Sequence, residues 1–410
     1  MKFDRFELTN EVKDNLNKLK FFRTTDIQFK AIPPILKGED VLAIAQTGTG
    51  KTAAFAIPII NKLQKEKLGR SNDFIKCLVM VPTRELAIQI TEVFESLSKG
   101  TGVRSICITG GVDQDPQIAK LKKGVDILIA TPGRMFDLIS QGYINVNSIR
   151  ILVLDEADHM LNLGFIKDIK DIVSKLPQNR QTLFFSATID DRIKKTAYLI
   201  VRNAIRIQIS PENPVNKNIH HTVASIEMDD KRFFLERLIN EHEGKKILVF
   251  VRTKVRAERV LKAMERVGIV TKTIHGDKEQ NDRLTVLNEF KKGLISILIA
   301  TDVSARGIDI PNVDYVVNYD LPDQAENYVH RVGRTGRADN KGFAVSFCSN
   351  EEKTLLKDIE DYIGHTIEVL TIFKKDYEET IDYSSDESAT NWRDLIANDD
   401  EKPKKRGKRK

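Results

Sequence analysis

Two parallel α/β lobes in tandem, wound on the same plan, are what this sequence predicts. Three observations carry that expectation: short apolar runs alternate with longer amphipathic segments, the pattern recurs at a fixed interval, and a turn-rich segment separates the two occurrences. Val41 to Ala45, Cys77 to Val81, Ile127 to Ala130, Ile151 to Leu154 and Thr182 to Phe185 are short and uniformly apolar. Such runs suit strands buried on both faces of a parallel sheet, with crossover helices between them. Ile127-Leu128-Ile129-Ala130-Thr131 returns unchanged at Ile297 to Thr301, an interval of 170 residues. Leu78-Val79-Met80-Val81-Pro82-Thr83 is echoed by Leu248-Val249-Phe250-Val251-Arg252-Thr253 at the same 170. Two matches at one interval argue for a repeated lobe. Between the repeats, Ser210-Pro211-Glu212-Asn213-Pro214 can continue neither a helix nor an inner strand. The expected organisation is a first lobe over 1–208, a linker over 209–219, a second lobe over 220–365, and an acidic linker with a basic disordered tail over 366–410. A cleft between two like lobes is a natural place for a ligand that both must grip.

Composition narrows the class. Of the 410 residues, 41% are hydrophobic and 30% charged, as in a soluble globular chain, and no apolar run approaches the ~20 residues that cross a bilayer. The stretch Met1 to Phe6 lacks the apolar run of a secretory signal, so the cytoplasm is the expected location. Cys77, Cys107 and Cys348 stand far apart in apolar runs and read as buried, reduced thiols, not as a zinc site. The net charge of +6 conceals three regimes: +8 on residues 1–375, −9 on 376–401, and seven Lys or Arg without an acid on 402–410. A basic block of that kind favours nucleic acid, since Lys and Arg release counterions from phosphates. Either the tail contacts nucleic acid, or the acids just upstream mask it.

The first lobe carries a phosphate-loop pattern, Ala45-Gln46-Thr47-Gly48-Thr49-Gly50-Lys51-Thr52, between a strand and a helix-like run. Only Ala45 departs from it, standing where the pattern has its first glycine. Glycines there let backbone N–H groups curl round phosphates at a helix N-terminus, Lys51 neutralises their charge, and Thr52 offers Mg²⁺ a hydroxyl. Asp155-Glu156-Ala157-Asp158 follows the strand Ile151 to Leu154, so its carboxylates emerge where ligands of open α/β sheets bind. Alone, such a cluster is often only a helix cap. Beside a phosphate loop, Asp155 reads as a member of the Mg²⁺ shell, partly through water, and Glu156 as the base for an attacking water. In the second lobe, His330-Arg331-Val332-Gly333-Arg334-Thr335-Gly336-Arg337 offers Arg334 and Arg337 as arginine fingers for charge developing on a γ-phosphate.

Together these residues resemble the DEAD-box family of ATP-dependent RNA helicases, over roughly residues 3 to 350. The likeness extends through Pro82-Thr83-Arg84-Glu85-Leu86-Ala87, Gly110-Gly111, Thr131-Pro132-Gly133-Arg134, Ser186-Ala187-Thr188, Gln280 with Arg283, Thr301-Asp302 and Arg306-Gly307-Ile308-Asp309, in family order. The resemblance implies two RecA-like lobes and a set of roles. Gln28 would read the adenine edge, Phe21 or its neighbour Phe22 would stack on the base, and Asp309 would contact the ribose. Here Lys20 stands where the family has a glycine, and Thr24 and Asp26 where it has prolines. Ser186 and Thr188 would bind back to Asp158 and couple nucleotide state to the lobes. The implied RNA track runs through Arg84, Gly110, Gly111, Thr131 and Arg134, then Arg252, Gln280, Arg283 and Thr301. Hydroxyls, glycine N–H groups and isolated arginines suit a sugar-phosphate backbone read without sequence preference.

The expected activity is an RNA-dependent ATPase that binds single strands and short duplexes, using ATP and Mg²⁺, to unwind RNA or remodel ribonucleoproteins. An ATP-gated RNA clamp and a DNA translocase would use the same motifs. The compact core and short tail look like the bacterial type, working as a monomer with ribonucleoprotein or RNA-degradation partners and no membrane.

Overall fold

The computed structural model describes residues 2–46, 48–67, 74–188, 191–209, 215, 218–302, 313–336 and 341–384. The chain divides between residues 214 and 215 into two compact units, each holding one seven-stranded parallel sheet. In the first, β1 (Val41–Ala45), β2 (Cys77–Met80), β3 (Ser105–Ile108), β4 (Ile127–Ala130), β5 (Ile151–Leu154), β6 (Gln181–Ser186) and β7 (Ile205–Ile209) lie in the order β3-β4-β2-β5-β6-β1-β7. The second has β8 (Ile219–Ser225), β9 (Ile247–Val251), β10 (Lys272–Ile274), β11 (Ile297–Thr301), β12 (Tyr315–Asn318), β13 (Gly342–Cys348) and β14 (Glu368–Leu370), ordered β10-β11-β9-β12-β13-β8-β14. Each strand of the second sheet thus occupies the station of the strand seven places earlier. Register repeats as well: Cys77 lies opposite Ile127, and Ile247 opposite Ile297.

The apolar runs are strands because both of their faces are covered. Val41, Ala43 and Ala45 join one core cluster with Phe55 and Phe94, whereas Leu42 joins the cluster on the opposite face with Met135 and Ile169. Successive side chains of a strand point to opposite faces, so a run apolar throughout is stable only between two helical layers. Phe55, fully buried, sets its ring 5.2 Å from Phe185 and 6.1 Å from Phe94, binding the helix Lys51–Lys67 to the sheet beneath it. Burying a side chain of that size contributes about 2–3 kcal/mol. The repeated threonines act alike: Thr83 Oγ1 accepts the Leu86 N–H at 3.3 Å and Thr253 Oγ1 accepts the Arg256 N–H at 3.1 Å, each capping the helix after its strand. Cys77 and Cys348 are buried free thiols, while Cys107 is only half-buried. No described helix is long and apolar enough to cross a membrane.

The expected end of the second lobe at residue 365 falls short of what is folded. β14 adds to the outer side of β8, with Glu368 opposite Thr222, and the helix Lys374–Asp382 packs on the helix Lys231–Glu241. Tyr377 fixes it: its ring lies 4.8 Å from that of Phe234, and its hydroxyl donates to Asp230 Oδ2 at 2.8 Å while accepting the Glu227 N–H at 3.1 Å. Thr380 and Ile381 are buried on the same face. Glu378, Glu379 and Asp382 of this helix are exposed, which is why charge alone suggested a solvated linker. The rest of the acidic stretch and the basic tail, 385–410, lie outside the described residues.

Tyr377→Ala is expected to destabilise the second unit by about 2 kcal/mol, and Tyr377→Phe by about 1 kcal/mol, through lost packing and lost hydrogen bonds respectively. Denaturant midpoints of the three proteins check this; identical midpoints would mean that the helix Lys374–Asp382 adds nothing.

Candidate nucleotide and nucleic-acid site

The phosphate loop joins the end of β1 to the helix Lys51–Lys67. Gly48 and Gly50 hold φ of 80° and 90°, values that favour glycine, and Ala45 is a buried strand residue outside that left-handed region. A Cβ on Gly50 would come within 2.5 Å of Gln28 Nε2. Gln28 is buried against the loop: its Oε1 accepts the Thr25 N–H at 3.0 Å, closing a capping box on the helix Asp26–Lys37, and its Nε2 donates to Gly50 O at 3.2 Å. Phe21 and Phe22 precede this helix, Phe22 being the more exposed. Lys51 is the telling group. Its Nζ is buried and finds no hydrogen-bond partner among the described residues. A buried, unpartnered ammonium is costly unless an anion completes it, and a loop of this shape takes phosphate.

β5 delivers the acidic residues to the same edge. Asp155 is buried, and burial pushes its carboxyl up to about 6 despite the opposing charge of Lys51. Glu156 sits at φ 50°, ψ 48°, a left-handed conformation rare for a residue with a side chain. Its backbone N–H donates to Asp155 Oδ1 at 3.0 Å, and its Oε2 lies 3.4 Å from His159 Nδ1. No motif marked His159, which stands three residues on and packs beside Glu156 in the short helix Ala157–Asn162. Asp158 turns toward β6. Its Oδ2 accepts the Ala187 N–H at 3.1 Å, the Thr188 N–H at 3.1 Å and Thr188 Oγ1–H at 3.2 Å, while Ser186 Oγ–H donates to Thr188 O at 2.7 Å. Asp158, Ser186 and Thr188 are therefore one hydrogen-bonded unit.

The residues expected on an RNA track in the first unit fall at the ends of β2, β3 and β4. Arg84 opens the helix after β2, Gly110 and Gly111 follow β3, and Thr131 follows β4 as the N-cap of the helix Pro132–Ser140, which holds Arg134. Arg84 lies over the glycines so closely that a Cβ on Gly111 would fall 2.0 Å from its Nη1. Arg134 Nη2 donates to Val112 O at 3.1 Å, bracing the same loop. In the second unit, Arg252, Gln280 and Thr301 lie at the ends of β9, β10 and β11, the equivalent stations, with Arg283 one helical turn beyond Gln280. Gln280 and Thr301 are buried. Arg252 is an ion-pair member: Nη2 donates to Glu352 Oε1 at 2.8 Å and Nε lies 3.1 Å from Asp323.

Two further groups in the second unit escaped sequence reasoning. Arg331 is fully buried, forked onto both carboxylate oxygens of Asp302 at 2.6 and 2.8 Å, with Nη1 donating to Asp320 O at 2.7 Å. It is a strut within its unit, and spacing could not separate it from Arg334. Arg334 is buried too, its Nε donating to His330 O at 3.1 Å. Lys231, the first residue of the helix after β8, is fully buried and donates to Glu352 Oε2 at 2.5 Å and Tyr319 O at 2.8 Å. Burial lowers its pKa, and Glu352 opposes that shift. Thr47, Asp309 and Arg337 lie outside the described residues.

Residues 25–196 match the DEAD/DEAH box helicase family, and residues 230–339 match the helicase conserved C-terminal domain. The chain is 42% identical to the ATP-dependent RNA helicase RhlB of Shewanella amazonensis, over 90% of this chain and 85% of that protein. It is 41% identical to the ATP-dependent RNA helicase CshA of Listeria monocytogenes, over 88% of this chain and 68% of that one. Saccharomyces cerevisiae Dbp5 bound to RNA and ADP with BeF3 superposes with a TM-score of 0.82 at 30% identity, covering 96% of this chain and 99% of that one.

Lys20, where the family has glycine, holds φ 60°, a conformation that costs a side-chain-bearing residue about 1–2 kcal/mol. Lys20→Gly should therefore raise the stability of the first unit by about 0.5–1 kcal/mol, after allowing for the extra freedom of glycine in the unfolded chain. An unchanged or lower denaturant midpoint would show that the lysine is not strained.

Proposed function

Because the chain belongs to the DEAD/DEAH box helicase family and is an ATP-dependent RNA helicase, we propose that it grips RNA by the backbone, without regard to sequence, and couples ATP hydrolysis to opening short duplexes or remodelling ribonucleoproteins. The observation that carries this reading is the division of one sheet edge into two neighbouring sets. Phosphate-loop and acidic groups stand at the ends of β1, β5 and β6, and backbone-contact groups at the ends of β2, β3 and β4. In a doubly wound sheet, that edge is where ligands bind.

Lys51, whose buried Nζ finds no hydrogen-bond partner among the described residues, would neutralise the β- and γ-phosphates of ATP. Among the described residues, no three His, Cys, Asp or Glu stand together to cage a metal. A Mg²⁺ ion would therefore draw on the buried Asp155 carboxylate, the Thr52 hydroxyl, water and the substrate itself, the shell such sites commonly have. When bound, it would supply charge neutralisation on the phosphates. Glu156 would accept the proton of the attacking water, and Arg334 with Arg337 would supply cations from the second unit. Gln28, tied to Gly50, would make adenine recognition and loop position interdependent. Asp158, holding Ser186 to Thr188, would carry the state of the acidic segment to β6. On this reading the chain would work in the cytoplasm as a monomer.

Strand displacement of a short RNA duplex with ATP present tests the reading: no displacement, with ATPase intact, would leave an RNA clamp, and equal stimulation by DNA would leave a translocase. Glu156→Gln should reduce turnover by at least about 10²-fold while ATP and RNA binding change less than about twofold, because the amide keeps the shape and cannot take the proton. Hydrolysis within about threefold of the native rate would remove Glu156 from its role.

Arg334→Ala should lower kcat by about 10³-fold with little loss of ATP affinity, whereas Lys51→Ala should lose affinity as well. Equal losses of affinity, measured by nucleotide titration, would refute the division of labour.

A further inference from the structure

A pocket of about 510 Å³ lies on the second unit between the helices Lys231–Glu241 and Lys254–Arg266. None of its lining residues belongs to the nucleotide set or to the backbone-contact set described above. Phe233 and Tyr319 contribute to an apolar floor, and Arg256, Arg259, Lys262 and Arg266 form a basic rim along one side. Arg256 is engaged by Asp320 at 3.3 Å. Arg259 and Lys262 are exposed, and no ion pair is found for either among the described residues. Of the two rim acids, Asp229 and Asp230, the second accepts a hydrogen bond from Tyr377. From Arg256 to Arg266 the helix rises about 15 Å, a ridge with a positive charge at each turn.

The chain itself holds a matching ligand. Residues 386–401 carry six acids against the single base Arg393, with Trp392, Leu395 and Ile396 among them. Ser384, the last described residue before this segment, donates its hydroxyl to Glu236 Oε2 at 2.5 Å, on the helix that walls the pocket. Phe233, on that helix, borders both the space beside Ser384 and the basic pocket. Trp392 is eight chain steps beyond Ser384, which can span up to about 28 Å, so reach is not limiting. A tether of this length sets a local concentration in about the millimolar range, enough for a weak docking site to be filled. An RNA backbone would satisfy the rim but has no use for the apolar floor, whereas an acidic segment with a tryptophan satisfies both.

We propose that the acidic segment 386–401 docks in this pocket of its own unit, its carboxylates on Arg259, Lys262 and Arg266 and Trp392 on the floor beside Phe233 and Tyr319. Seated there, the acids are spent on the helix Lys254–Arg266 and leave the basic stretch 402–410 unneutralised, available to an RNA backbone. The docking itself does not depend on the helicase reading.

Trp392 is the only tryptophan among the 410 residues, so its fluorescence reports on the segment alone. In the full chain at low salt, acrylamide should quench it weakly. Quenching should rise about threefold in the Arg259→Glu/Lys262→Glu variant and on raising salt to about 0.5 M. Both substituted side chains are exposed, and an unchanged denaturant midpoint verifies the fold of the variant. Adding Asp394→Lys, Asp399→Lys and Asp400→Lys to that variant should restore the protection, since the pairing is then reversed in sign. Equal quenching in the native chain, the variant and high salt would overturn the docking. So would unaltered quenching accompanied by a loss of RNA affinity of about tenfold in the variant, which would assign the pocket to RNA phosphates.

Discussion

A parallel strand cannot turn back directly on its neighbour; the chain must cross the sheet, here through a helix, and start again from the same side. Every strand therefore delivers its C-terminal end to one edge, where helix N-termini and their unpaired N–H groups gather. This constraint places the chemistry of the first unit. Residues as distant in sequence as Lys51, Arg84, Asp155 and Ser186 share an edge because each follows a strand of the same sheet. Functional groups could be drawn from any strand without altering the core that holds them.

The core was legible for the same reason. A strand covered on both faces has no polar positions, so Cys77–Met80, Ile127–Ala130 and Ile151–Leu154 announce themselves as apolar runs, and the echoes of the first two 170 residues later announce a second sheet. What escaped was the edge. Glu368–Leu370 is exposed and only three residues long, with no apolar run to mark it. Yet β14 stands at the station of β7, and a repeat read through to its last strand would have required it. The helix that follows shows Phe373, Tyr377 and Ile381 at intervals of four, a signal overridden by the surrounding carboxylates.

The site was legible as a set of residues and illegible as a set of relationships. Spacing identifies Lys51, Asp155 and Glu156, but not that the first is buried with no hydrogen-bond partner among the described residues, the second is held toward its neutral form by burial, or the third occupies left-handed backbone. These strains sit together where a charged ligand would relieve them, and the packed sheet beneath tolerates them. Nor does spacing reveal that Arg331 and Arg334 differ in kind, since a fork onto Asp302 depends on a residue 29 positions away.

Lys231 has one more implication. It opens the helix after the first strand of its sheet, as Lys51 does after β1, but its ammonium is matched by Glu352 and the Tyr319 carbonyl. No glycine loop precedes it. The duplicated architecture therefore has two lysines at one topological address, and the second is hydrogen-bonded within its own unit. With its charge met by Glu352, the second lysine has none to offer a triphosphate, despite two sheets of the same design.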